Sequence, residues 1–307
     1  MRAVLALPRT VWLLGLISLV NDAASDMVYP LVPLYLASVL MAGPKALGLI
    51  EGIAEAVAGL LKLFAGVRAD RSHSIRRWVV AGYGLAGIAR PLIAFATSWV
   101  GVLACRFADR VGKGLRSAPR DALLAHSVGA DRRGLAFGLH RAMDNLGAVV
   151  GPLAAAALLA AGLSLKQVFL LAAVPAAVVI ALTLLVSEPA HATVVPRVPF
   201  SWRLAGLPAG FRRYLAVLAV FTLGNSSNMF LLLRARELGL GEAEVPLVWA
   251  LVSLVAALFG TSFSAWSDRI GRRRLIVGGW LVYAGFYLLF GLLPASPWLL
   301  WPMFAEI

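Results

Sequence analysis

Charge is what this chain has least of. Only 14% of its 307 residues are Asp, Glu, Lys or Arg, while 61% are apolar and the mean hydropathy is +0.85; an ordinary soluble domain carries about 25% charged residues. So little charge cannot cover a water-exposed surface, which excludes a soluble domain and leaves a polytopic membrane protein. Acid is scarcer than base, 15 Asp and Glu against 28 Lys and Arg, for a net charge of +13. A nucleic-acid surface would gather such basic residues on one soluble face, whereas here they are strung out between apolar runs, so no nucleic-acid partner is expected. Cys105 is the single cysteine, which excludes an internal disulfide and leaves no thiolate set for a metal; it reads as a small apolar filler. The chain also lacks the His-Glu spacing of zinc hydrolases and the Gly-x-Ser-x-Gly nucleophile turn. The expectation is no enzyme, no cofactor and no metal.

Long apolar runs are what is there. Their lengths predict helices at about 11–40, 46–67, 78–97, 98–122, 135–161 and 166–187, then 213–235, 246–264 and 275–294, with a tenth beginning at Pro297. Between them, residues 188–212 hold Pro189, Pro196, Pro199 and Pro208 with Arg197, Arg203 and Arg212 and no apolar run, a linker between two halves. The basic residues give the orientation. Lys45, Lys166, Arg234 and Arg236 fall at one set of helix ends, six lie within spans, and the other eighteen fall at the N-terminal side. That bias predicts a cytoplasmic N-terminus in an inner (plasma) membrane. Trp12, Trp78, Trp99 and Trp298 near span ends read as interfacial anchors.

Ions inside the spans are the candidate functional residues. In the fourth span Arg106, Asp109, Arg110, Lys113, Arg116 and Arg120 recur every three or four residues, one broad helical stripe. At about 1.5 Å per residue from Ser98, Arg106 lies ~12 Å and Arg110 ~18 Å along the axis, inside a hydrocarbon core of roughly 30 Å. Asn21, Asp22, Ser25, Asp26 and Tyr29 share one face of the first span; Glu51, Glu55 and Lys62 share one of the second; His140, Arg141, Asp144 and Asn145 share one of the fifth. Intramembrane ions are costly unless paired or wetted, so they mark a polar cavity or structural ion pairs, for instance Arg106 or Arg110 with Asp144 or Asp26. The expected substrate or proton cavity comprises Asn21, Asp22, Asp26, Tyr29, Glu51, Glu55, Arg106, Asp109, Arg110, Lys113, Arg141, Asp144, Asn145, Asn225 and Asn228. Asp22 and Asp26 stand first among proton carriers, with Glu55 and Asp109 behind them. The acids suit a cation and the arginines an anion, so charge alone leaves the substrate open.

The two halves repeat one another. Gly66-Val-Arg-Ala-Asp70-Arg71, followed by Arg76 and Arg77, joins the second and third spans; Ser264-Ala-Trp-Ser-Asp268-Arg269-Ile-Gly271-Arg272-Arg273-Arg274 joins the eighth and ninth. Asn21-Asp22-Ala-Ala-Ser25-Asp26-Met27 of the first span is echoed by Asn225-Ser226-Ser227-Asn228-Met229 of the seventh. A repeat on this scale points to a transporter with its site between the halves.

With these loops the sequence resembles the major facilitator superfamily, whose mark between the second and third helices is Gly-x-x-x-Asp-Arg-x-Gly-Arg-Arg. The first copy here has His73 where a Gly is expected, and the second has Ser264 for the first Gly. Gly138, Gly147 and Gly151-Pro152 of the fifth span are similar to a motif of members that export by exchange with protons, although Ala155-Ala156 replaces the usual closing Gly pair. The resemblance implies an all-α fold of two six-helix bundles related by pseudo-symmetry: residues 1–187, a cytoplasmic linker 188–212, and a second bundle from 213 that is incomplete at residue 307, where helix ten has only begun. It further implies a monomer in the lipid bilayer that exports a small-molecule substrate against protons, or carries metal ions or anionic metabolites; a non-transporting remnant of such a protein is the other reading. A conformational latch is expected at Gly66, Asp70, Arg71, Arg76, Arg77, Asp268, Arg269, Gly271, Arg272 and Arg273, and close helix packing at Gly138, Gly147, Gly151 and Pro152.

Overall fold

The computed structural model describes residues 5–69, 74–187, 206–292 and 297–304, and the regular structure in them is helical throughout. Six helices are long and apolar enough to cross a bilayer: Arg9–Ser38, Ile75–Phe95, Ala130–Ala160, Leu165–Leu184, Ala209–Glu237 and Arg273–Leu292. Pro44–Ala69 and Trp99–His126 match them in length, at 26 and 28 residues, but carry the ions noted above. Glu244–Ile270 completes the set of nine among the described residues, and Pro297–Phe304 follows as a short helix. These are called the first to ninth spans in chain order. The linker expected at 188–212 lies outside the described residues up to 205, and the seventh span starts at Ala209 rather than 213.

Three expected continuous helices are broken. The first span stops at Val28 and resumes at Leu31, because Pro30 has no N–H to give the carbonyl four residues back. The sixth breaks at Ala172, three residues before Pro175. The seventh ends at Gly224 and restarts at Asn228 without a proline. There Asn225 is extended (φ −82°, ψ 110°), and the Ser227 hydroxyl oxygen accepts the Met229 N–H at 3.3 Å, capping the restarted helix. Backbone that departs from helix at membrane depth is tolerated where it lines a cavity.

Small residues set the tightest packing. A Cβ on Gly147 would collide with the Leu19 carbonyl oxygen, and one on Gly151 with that of Ala23, so the fifth span rides on the backbone of the first. Gly138, on the same helix, has nothing within 4 Å of an added Cβ. Pro152 is buried within the helix beside Gly151. A Gly147→Val chain is therefore expected to yield no monodisperse peak on size exclusion in detergent, while Gly138→Val elutes as the parent does; equal behaviour of the two would remove the packing role.

Two apolar cores lie at opposite ends of the bundle. One, at the end where Arg9 starts the first span, contains Leu7, Val11, Leu14, Ile17, Ile75, Val79, Tyr83, Leu123, Leu124, Ala136, Val179 and Val186, every one from the first half of the chain. The other, at the Ser38 end, joins both halves: Met27 to Leu36, Leu47, Ile50 and Phe169 pack with Met229, Leu231, Leu232, Leu233, Val245, Val248, Phe286 and Phe290. The halves are thus sealed together at the Ser38 end. Among the described residues the halves share no such core toward the Arg9 end, and the Ala209–Gly224 helix buries no residue.

Candidate functional site

Where sealed and parted regions meet, the break in the seventh span faces the second span. Asn225, Ser226, Ser227 and Asn228, with Thr222 and Phe230 on either side, look across at Gly48, Glu51, Gly52 and Glu55, and Tyr29 closes one wall from the break in the first span. Together they line a cavity of about 570 Å³, a size suited to a small-molecule ligand.

Glu51 and Glu55 lie four residues apart and therefore on one helical face. Glu51 is buried; its Oε1 accepts from Arg106 Nη2 at 2.6 Å and Nε at 3.2 Å, and its Oε2 accepts the Ser227 hydroxyl at 3.2 Å. Glu55 is open, its side chain 57% exposed, with Oε1 2.9 Å from Arg110 Nε. That is an ion pair without hydrogen-bond alignment, since Arg110 Nε has no hydrogen-bond partner. Behind the pair sits Asp109. Its Oδ1 accepts from Arg90 Nε at 2.9 Å, and its Oδ2 lies 3.7 Å from Arg106 Nη1 and 3.6 Å from Arg110 Nη1. Arg90 Nη1 also donates to the carbonyl (3.1 Å) and side-chain oxygen (3.0 Å) of Asn21. Three arginines and three carboxylates from the second, third and fourth spans form one electroneutral cluster, tied to the first span through Asn21, and that pairing is what makes so many buried ions tolerable.

The sequence profile of the Major Facilitator Superfamily matches residues 14–305. The chain belongs to the major facilitator superfamily. An MFS-type transporter of Methanocaldococcus jannaschii is 32% identical over 285 residues, which cover 90% of this chain and 71% of the relative. A protein of Mycobacterium tuberculosis is also 32% identical, over 286 residues that cover 90% and 69%. Among solved structures, the nucleoside transporter NupG is similar with a TM-score of 0.77 at 15% identity, covering 97% of this chain and 78% of NupG. A bacterial homolog of the human lysosomal transporter Spinster, solved inward-facing and unoccupied, gives 0.71 at 17% identity, covering 97% and 71%. At such identities the likeness is one of fold. As a major facilitator member the chain is a multi-pass membrane transporter, not an enzyme.

Within this major facilitator fold the expected site residues separate into groups. Tyr29, Glu51, Glu55, Asn225 and Asn228 line the cavity. Asn21, Arg106, Asp109 and Arg110 do not; they are buried behind it and spent on one another. Asp144 is also elsewhere: it accepts the Ser18 hydroxyl and lies 3.4 Å from His140 Nδ1, while Arg120 donates to Ser18 at 3.3 Å and to Asp121 at 2.9 Å. Arg116 stacks on the Tyr83 ring at 4.3 Å. Lys113 and Arg141 are exposed and Asn145 is half-buried. The pairing of Arg106 or Arg110 with Asp144 or Asp26 does not occur; the acids they meet are Glu51, Glu55 and Asp109.

Asp22 accepts from Asn21 Nδ2 at 2.8 Å, and Asp26 accepts from Trp249 Nε1 of the eighth span at 3.1 Å, where Trp249 also packs on Tyr29 with ring centroids 4.8 Å apart. Neither Asp22 nor Asp26 has a cation within ion-pair distance among the described residues. In the expected latch, Asp70 and Arg71 lie outside the described residues, as do the side chains of Asp268, Arg269 and Arg272. Arg76 donates to the Leu184 carbonyl at 2.5 Å, a Cβ added to Gly66 would meet that of Ala118 at ordinary contact distance, Arg77 and Arg273 are exposed, and Gly271 turns the chain between the eighth and ninth spans at φ +91°.

Arg90, Trp249 and Ser227 complete the site without having been singled out from the sequence. A lone arginine within the apolar third span was signal enough for Arg90. Trp249 carried none and Ser227 only its place in the Asn225–Met229 echo, since each acts through its position against the other half.

Proposed function

We propose that this chain is a proton-coupled secondary transporter that exports small organic molecules by alternating access, and that the structure stands in its inward-open state. One observation carries the reading: among the described residues the halves share an apolar core at the Ser38 end and none at the Arg9 end, with a polar cavity at the boundary. The excess of Lys and Arg at the Arg9 end supports a cytoplasmic N-terminus, which makes the open end the inner one. The likeness in fold to the inward-facing Spinster homolog agrees with that state. Residues 1–187 and the part from 213 onward act as the two rocking bodies in this reading, and among the described residues two side-chain hydrogen bonds that cross between them end on carboxylates, Ser227 on Glu51 and Trp249 on Asp26. A proton arriving at Asp26, which has no arginine partner among the described residues, weakens the bond from Trp249, which couples protonation to opening.

The protein reconstituted in liposomes with an acidic lumen tests this. Proton efflux should drive accumulation of substrate from a panel of cationic, neutral and anionic organic compounds, and nigericin should abolish it. Accumulation of none of them, or accumulation indifferent to nigericin, would end the proton-coupled reading.

A further inference from the structure

Resting on the transporter reading, we infer that the cavity takes an organic cation, with Glu55 as its ligating carboxylate and Arg110 as the group that gives Glu55 up. Among the described residues the cavity wall holds two carboxylates and no Lys, Arg or His; its other polar groups are amides and hydroxyls, and Tyr29 and Phe230 supply aromatic faces. Carboxylates with aromatic faces are what recognises an ammonium or guanidinium group. The ion-pair partner of Glu55 stands behind it, the side chain of Arg110 being 7% exposed while that of Glu55 is 57% exposed, and Lys113, though exposed, lies outside the lining. An anion entering the cavity meets negative charge first.

The two carboxylates differ in readiness. Glu51 is fully engaged, by two N–H groups of Arg106 and the Ser227 hydroxyl, so it holds the halves together rather than a ligand. Among the described residues Glu55 forms one ion pair, with Arg110, whose Nε is buried, 2.9 Å from the Glu55 carboxylate, and without a hydrogen bond. Arg110 also has a second acid at hand, Asp109 Oδ2, 3.6 Å from Nη1. When a ligand cation takes Glu55, Arg110 falls back on Asp109 and no buried charge is left alone. Ligand and arginine exchange on one carboxylate.

The sign of the cavity can be read without knowing the substrate. In a Cys105→Ala background, Thr222→Cys places a thiol on the wall. It is reacted with a trimethylammonium-ethyl methanethiosulfonate and with the sulfonatoethyl reagent of opposite charge, each rate normalised to that with a free thiol in solution. The cationic reagent should be favoured by ~10-fold or more, because the charge exposed on the wall is the Glu55 carboxylate while its arginine is buried behind it. Glu55→Gln should bring the ratio near unity, Glu55→Asp should keep it, and benzyltrimethylammonium should slow labelling where benzoate does not. A ratio at or below unity in the parent, a ratio untouched by Glu55→Gln, or protection by benzoate overturns the cation inference. Wrong sign with intact gradient-driven flux removes the cation alone, whereas right sign without flux removes the transporter reading and leaves a cation site.

Discussion

An Asp109→Asn protein is expected to be destabilised by roughly 3–5 kcal/mol, the usual cost of stranding a buried ion by removing its partner, read as a large fall in thermal midpoint by fluorescence in detergent. The carboxylate is buried, and Arg90, Arg106 and Arg110 all lie within 3.7 Å of it. Asparagine keeps the shape but not the charge. Arg106 and Arg110 would retain Glu51 and Glu55, so the loss falls mainly on Arg90, left with only neutral oxygens, those of Asn21 and of the new amide. The double change Arg90→Met with Asp109→Leu removes both ions together and should recover much of the loss, because the stranded charge, more than the missing bond, is what destabilises. An Asp109→Asn midpoint close to the parent's would mean that water already reaches the cluster.

That cluster also marks how far the sequence could be read. The stripe of ions on the fourth span follows from the helical period alone, and its burial follows from the depth of Arg106 and Arg110 in a span of that length. Which acid each arginine meets does not follow. Periodicity fixes the face a residue occupies on its own helix, whereas Arg106 finds Glu51 and not Asp144 because the second span packs on that face and the fifth packs on the first through Gly147 and Gly151. Helix neighbours are set by shape complementarity among residues far apart in sequence, which a single chain does not display. The same holds for the breaks. Pro30 announces the first, but the gap at Asn225–Ser227 has no proline and arises where polar side chains and freed backbone face a cavity. Echoing Asn21-Asp22 with Asn225-Ser226 located the region; its opening into non-helical backbone appears only in three dimensions.

Asp22→Asn and Asp26→Asn are each expected to abolish gradient-driven accumulation while leaving substrate-for-substrate exchange across the liposome membrane. The two carboxylates lie one turn apart on the first span, and neither meets a cation within ion-pair distance among the described residues, whereas Glu51, Glu55 and Asp109 each do. A carboxylate already neutralised by an arginine has little tendency to take a proton; one without such a partner can bind and release it as its surroundings change. Asp26 sits at the seam, accepting Trp249 Nε1 from the other half, so rocking must alter its environment. Asparagine can still accept that N–H through its side-chain oxygen but can carry no proton, so folding and exchange should survive and only the coupling should go. Trp249→Phe supplies the converse: the acid stays, the bond across the seam is lost, and transport should remain gradient-driven with its pH dependence displaced. If both asparagine variants still accumulate substrate under an imposed gradient, protons are carried elsewhere, and Glu55 becomes the next carboxylate to neutralise.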